Sequence, residues 1–108
     1  MVDTMAFVRV AARAELPPGA LRQFIVRDTP LALCNDAGAI HAFYGLCPHH
    51  NGPLGQGNLV DGNIVCPWHA WEFSVATGEY DRNAAVRLRR FPVRLDGEDI
   101  VVDLDEIE

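Results

Sequence analysis

A chain of 108 residues with 49% hydrophobic content is sized for one domain with a core of its own, which excludes an extended or disordered polypeptide. The formal net charge is −6, and the nine basic residues, all Arg, form no basic run, so the electrostatic footprint of a nucleic-acid or anionic-membrane binder is missing. Three cysteines cannot build a disulfide framework, and no basic leader or membrane-length apolar run is present, so the sequence predicts a reducing, cytoplasmic setting and no membrane span.

In chain order, residues 7–11 read as a short strand, broken by Pro17-Pro18-Gly19. Residues 21–27 are rich in β-formers around Phe24-Ile25-Val26, and Pro30 marks a turn. Leu31-Ala32-Leu33-Cys34 and residues 39–44 flank the turn Asn35-Asp36-Ala37-Gly38, a hairpin. Asp61-Gly62 between Leu59-Val60 and Asn63-Ile64-Val65 predicts a second hairpin. Residues 71–75 alternate apolar and polar, and Thr77-Gly78 turns them. Residues 88–95 predict a strand interrupted by Pro92, hence at an edge or bulge, and Ile100-Val101-Val102 the last strand before an acidic tail. No long amphipathic helix is indicated. Many short strands at close spacing predict an all-β sandwich or barrel.

Two short segments do not fit a core-forming purpose. Cys47-Pro48-His49-His50 and Cys66-Pro67-Trp68-His69 each bring a thiol and an imidazole, in a pattern of Cys-x-His and Cys-x-x-His. Cys2His2 donors suit tetrahedral zinc, and they also suit a [2Fe–2S] cluster with two His on one iron. Zinc fingers place both cysteines on one turn and both histidines on a helix, whereas here each loop supplies one of each. A two-iron rhomb needs that division. Two buried core cysteines would be the ordinary alternative, but their paired placement in Cys-Pro loops argues against it.

With Gly52-Pro53-Leu54, Trp71-Glu72-Phe73 and Thr77-Gly78-Glu79, these loops resemble the small Rieske-type ferredoxins of bacterial ring-hydroxylating oxygenases, over roughly residues 5–103. The resemblance implies the Rieske fold: one domain, residues 1–108, an antiparallel β-sandwich base with a small inserted cluster-binding subdomain at about residues 46–74. It implies one [2Fe–2S] cluster, with Cys47 and Cys66 on one iron and His49 and His69 on the other. His50 is then a neighbour, since the family pattern leaves one residue between the first Cys and its His. It also implies a one-electron carrier of aromatic catabolism, not an enzyme. Its partners would be a flavin-containing NAD(P)H-dependent ferredoxin reductase and a terminal oxygenase. The alternatives are the small subunit of an assimilatory nitrite reductase and, in another class, a zinc-stabilised structural module.

High-potential Rieske proteins place Ser and Tyr hydroxyls after the second loop and a disulfide across the loops. The matching positions here hold Trp71 and Phe73, and no cysteine pair is available, which predicts a low potential. Trp71 and Phe73 read as packing residues, Trp68 as a shield or partner-facing residue, and Gly45, Gly52, Gly55 and Gly57 as points of close backbone approach. Cys34 reads as a buried thiol and His41 as structural. Arg82, Arg87, Arg89, Arg90 and Arg94 occupy a segment without acids, which reads as solvated strand faces or as a docking patch for an acidic partner. No Ser-His-Asp pattern, phosphate loop or dinucleotide fingerprint occurs.

Overall fold

Four successive apolar residues, Leu31-Ala32-Leu33-Cys34, cannot share one face of a strand, because side chains alternate along it. In the computed structural model, which describes residues 7–48, 51–68 and 70–104, both faces of that strand are covered. It is β3 (Thr29–Asp36), an inner strand of a four-stranded antiparallel sheet. Leu31 and Leu33 point into a core with Leu16, Ala42, Phe91, Ile100 and Val102. Ala32 and Cys34 point the other way, into a core with Phe43, Leu54, Ile64, Phe73 and Leu88. One strand therefore serves two hydrophobic cores, and its unbroken apolar run is the consequence.

The remaining strands are β1 (Phe7–Ala12), β2 (Leu21–Val26), β4 (Ala39–Tyr44), β5 (Asn58–Val60), β6 (Asn63–Val65), β7 (Glu72–Ser74), β8 (Glu79–Tyr80), β9 (Asn83–Arg87), β10 (Arg90–Phe91), β11 (Val93–Asp96) and β12 (Asp99–Asp103). They form three antiparallel sheets, ordered β1-β12-β11, β10-β4-β3-β2 and β5-β6-β7-β8-β9. The first two enclose the core around Leu33 and make the base. The third packs over the opposite face of the central sheet. The expected all-β class and sandwich base are what the chain forms. Two 3-10 turns, Arg13–Glu15 and Leu54–Gln56, complete the described residues, and no helix among them is long and apolar enough to cross a membrane.

The hairpin at Asp61-Gly62 turns with positive φ at both residues, +49° and +80°, the geometry that a two-residue turn demands. Two elements differ from the sequence expectation. Residues 88–95 do not form one interrupted strand. The chain divides at Pro92, with β10 pairing to β4 in the central sheet and β11 to β12 in the outer one. Proline has no N–H to continue a ladder, so it is a natural place to change sheets, and its carbonyl still accepts from Asp103 N at 3.1 Å. The second is β9, Asn-Ala-Ala-Val-Arg, whose own residues carry little β-preference and which pairs with β8 at the edge of its sheet.

Candidate metal centre

The first Cys-His segment leaves β4 directly. A bridge between Leu46 and Pro53 closes it into a loop. Inside it, Cys47 N donates to Gly52 O at 2.9 Å and Asn51 N donates to Cys47 O at 2.8 Å. Asn51 takes a left-handed conformation, φ +59°, which an Asn tolerates better than most residues. The second Cys-His segment is the connection of the β6–β7 hairpin, anchored by the pair Val65 and Glu72 and closed by Cys66 N donating to Trp71 O at 2.8 Å. Cys66 is therefore the first residue past β6 and Cys47 the third past β4, each with its amide tied across its own loop.

The two loops touch. Gly52 of the first lies so close to the second that a Cβ there would stand 3.0 Å from Cys66 Sγ and 3.1 Å from the Trp68 ring. The absence of a side chain at Gly52 is what lets one loop seat on the other. Cys47 and Cys66 are 0% and 2% exposed and belong to one core cluster with Leu54, Ile64 and Phe73. No disulfide joins the cysteines. The predicted ligands His49 and His69, and the neighbour His50, lie outside the described residues. Their chain neighbours Pro48, Asn51, Trp68 and Ala70 bracket the point where the loops meet, and Ala70 takes φ +56°.

Other glycines near the loops mark close approaches of a different kind. A Cβ on Gly45 would meet the backbone of Pro30 and Leu31 at about 3 Å, and one on Gly57 would clash with the Val65 carbonyl oxygen. These contacts press the loop-bearing segments against β3 and β6. Trp71 and Phe73 pack as the sequence reading expects. Phe73 is fully buried, and Trp71 stacks on Tyr80 with ring centroids 4.0 Å apart and planes 5° from parallel. Sequence reasoning missed Tyr80 and the bond from Asn63 Nδ2 to Glu72 Oε1, 3.1 Å, that braces the second hairpin. Both come from the pairing register of β6, β7 and β8, for which the sequence carries no local mark. Trp68 remains 48% exposed beside Gly52, at the surface over the loop contact.

Cys34 and His41 lie on the central sheet, Cys34 in the same core as Cys47 and Cys66. They face each other across β3 and β4. Burial pushes the Cys34 thiol up to about 12, and the neighbouring Asp36 carboxylate adds to the effect, so the thiol stays protonated and is a poor ligand. Burial, then the charge of Arg90, lowers the His41 imidazole below its ordinary value. Cys34 is a buried core thiol, and the His41 ring lies along Phe43 with centroids 6.3 Å apart.

Two soft thiol donors buried where two loops meet, with Gly52 beside one of them, fit a thiolate-bound iron–sulfur cluster. A hydrophobic core has no use for that convergence.

The comparisons with known proteins agree. The sequence model of the Rieske [2Fe-2S] domain matches residues 6–92. The ferredoxin component of the biphenyl 2,3-dioxygenase of Rhodococcus jostii is 34% identical over 102 residues, 94% of this chain and 95% of that protein. The ferredoxin component of the alkene monooxygenase system of Xanthobacter autotrophicus is 32% identical over 106 residues, 97% of this chain and 87% of that protein. Among solved structures, a ferredoxin in complex with the reduced oxygenase of carbazole 1,9a-dioxygenase superposes with a TM-score of 0.81 at 28% identity, covering 91% of this chain and 93% of that one.

Proposed function

The chain belongs to the Rieske [2Fe-2S] domain family, whose cofactor is one Rieske-type [2Fe–2S] cluster, and on that premise we propose that it carries single electrons from a flavin-containing NAD(P)H-dependent reductase to a terminal aromatic-ring oxygenase in the cytoplasm. The observation that carries this reading is the pair of buried cysteines on two loops that meet at Gly52. Cys47 and Cys66 would hold one iron, and His49 and His69 the other. A zinc-stabilised module is set aside by the family match.

When bound, the cluster supplies a one-electron couple. The chain's own residues do the rest. The closed loops hold both thiolates at fixed positions, so little rearrangement accompanies a change of charge. Leu54, Ile64 and Phe73 keep water from the cysteine side. The loop tips, with Trp68 at the surface, are left for a partner to approach. A saturated donor set leaves no position for substrate, and this agrees with the names of the relatives, which are components of multi-protein oxygenases.

The reading is tested by reconstitution. Purified holoprotein is expected to contain two irons and two sulfides per chain, to turn over no aromatic substrate alone, and to restore turnover when combined with both reductase and oxygenase. Oxygenation by the chain with reductant and no other protein would refute it.

The potential follows from which side chains stand near the second loop. Phe73 is fully buried and has no polar atom, and the indole of Trp71 lies flat on Tyr80. Neither supplies the hydroxyl that donates to sulfur in high-potential relatives, and donors to sulfur favour the more negative reduced state. The midpoint is expected near the low end of a range that runs from roughly −150 to +300 mV. A spectroelectrochemical titration at neutral pH that gave a value above about +100 mV would contradict this.

A further inference from the structure

The acid-free segment with five arginines does not form one patch. Arg94 lies over the Phe7 ring, 4.2 Å from its centroid, and Arg82 sits in a cleft beside Asp81. Arg90 is half-buried and lines a different cleft, with His41 and Phe91, and its Nη1 donates to Ala76 O at 2.9 Å. Arg87 and Arg89 remain, and the fold sets them apart from the others. Leu88, between them, is drawn into the core and its N–H donates to Gly78 O at 2.7 Å. Arg89 O accepts from Tyr44 N at 2.9 Å. In an extended chain, residues on either side of a buried one point outward together. Arg87 and Arg89 are accordingly both exposed and line one cleft of about 360 Å³, whose other walls include Tyr44, Pro48 and Asn51.

Pro48 and Asn51 are the described ends of the first Cys-His loop, so this cleft borders the proposed electron-exit region. Among the described residues no acidic side chain lines it, and neither arginine forms an ion pair with a carboxylate. Arg87 is pre-ordered, because its Nη2 donates to Thr77 O at 3.2 Å. A chain of net charge −6 thus carries two uncompensated guanidinium groups beside its loop tips.

The geometry points to a docking cleft in which Arg87 and Arg89 receive a carboxylate-bearing surface of the terminal oxygenase. This rests on the carrier reading above. Guanidinium forks match carboxylates geometrically, and charges at the rim of a brief interface steer encounter and fix orientation. A positive cleft on a negative protein would orient the chain with its loop tips toward an acidic acceptor.

Two double variants of equal net charge separate local from overall charge: Arg87→Gln/Arg89→Gln in the cleft, and Arg13→Gln/Arg94→Gln on the base. The first readout is stopped-flow oxidation of the reduced holoprotein by ferricyanide, a trianion, at about 0.1 M ionic strength, where distant charges are screened beyond roughly 10 Å. The cleft variant is expected to react about threefold or more slowly than the base variant. The second readout is the Kd of the oxidised holoprotein for its oxygenase, with no electron passing; it is expected to be about tenfold weaker for the cleft variant. Arg89→Gln alone, which breaks no side-chain hydrogen bond among the described residues, serves if loss of Arg87 loosens the Thr77 turn. Equal rates and equal affinities in the two double variants overturn the cleft. A loss confined to reductase binding overturns it as well. If the wild-type chain reduces no oxygenase, the carrier reading falls; if it does so and the variants match, only the docking proposal falls.

Discussion

Cys66→Ala is expected to yield a chain without iron and without a cooperative fold near room temperature. Cys66 is buried where the β6–β7 hairpin meets Gly52 of the first loop. In the apo state that junction keeps its backbone bonds and side-chain packing but loses the cross-link between the loops, and a truncated thiol leaves a gap in the core that Leu54, Ile64 and Phe73 share. Metal binding free energy is folding free energy when the site does not exist in the unfolded chain. A domain of this size has about 5–15 kcal/mol in total, so losing the cluster removes most of it. Cys47→Ala is expected to behave alike. Cys34→Ala is the contrast: its thiol is protonated and remote in role, so the variant is expected to keep full iron and to lose on the order of 1 kcal/mol. Of the histidines, His49→Ala and not His50→Ala is expected to lose the cluster. Iron content, visible absorption and a thermal melt check all of these together. Full iron occupancy in either Cys47→Ala or Cys66→Ala would show the ligand assignment to be wrong.

Gly57→Ala is expected to cost about 3 kcal/mol or more, although Gly57 has an ordinary φ of −83° and ligates nothing. The reason is space. A Cβ there would clash with the Val65 carbonyl oxygen and stand 3.2 Å from Pro67 Cδ. Both are rigid: Val65 is paired to Asn58 and Glu72 in β5 and β7, and Pro67 follows Cys66, the proposed ligand, in the closed second loop. The backbone must move, and the segment that moves carries the second loop. At roughly 4–8 °C per kcal/mol for a domain of this size, the melting temperature falls by on the order of 15 °C. Faster cluster loss on warming is expected with it. Gly97→Ala is a useful comparison. Its φ is +63°, but nothing lies within 4 Å of a Cβ there, so only the conformational penalty of about 1 kcal/mol applies. If the two variants melted together, crowding at Gly57 would not be the cause.

The family and its cofactor were legible in the sequence because their signal is chemical. Cysteine and histidine at Cys-x-His and Cys-x-x-His spacing carry information that does not depend on neighbours in space, and the resemblance to Rieske ferredoxins rests on those residues. Local turn chemistry was legible for the same reason. Asp61-Gly62 makes its hairpin whatever surrounds it, because few other pairs accept positive φ twice. The strands with strong β-formers, such as β4, lie within a residue or so of their expected limits.

What the tertiary structure decided concerns partners in space. That Leu31-Ala32-Leu33-Cys34 is apolar throughout was visible in the sequence, but only the layers above and below β3 show that it serves two cores. Pro92 announced an interruption; whether the chain bulged or changed sheets depended on which strands were free to pair. β9 exists because β8 offers it an edge, since its own residues have little preference for a strand. The close approach of Gly52 to Cys66, the stack of Trp71 on Tyr80, and the exposure of Arg87 and Arg89 on either side of buried Leu88 all join residues distant in sequence or set by register. Donor spacing and turn type are properties of single residues and their immediate neighbours, so the amino-acid order determines them. Layering, register and the charge of a surface are sums over segments brought together by folding, and no short stretch of sequence contains them.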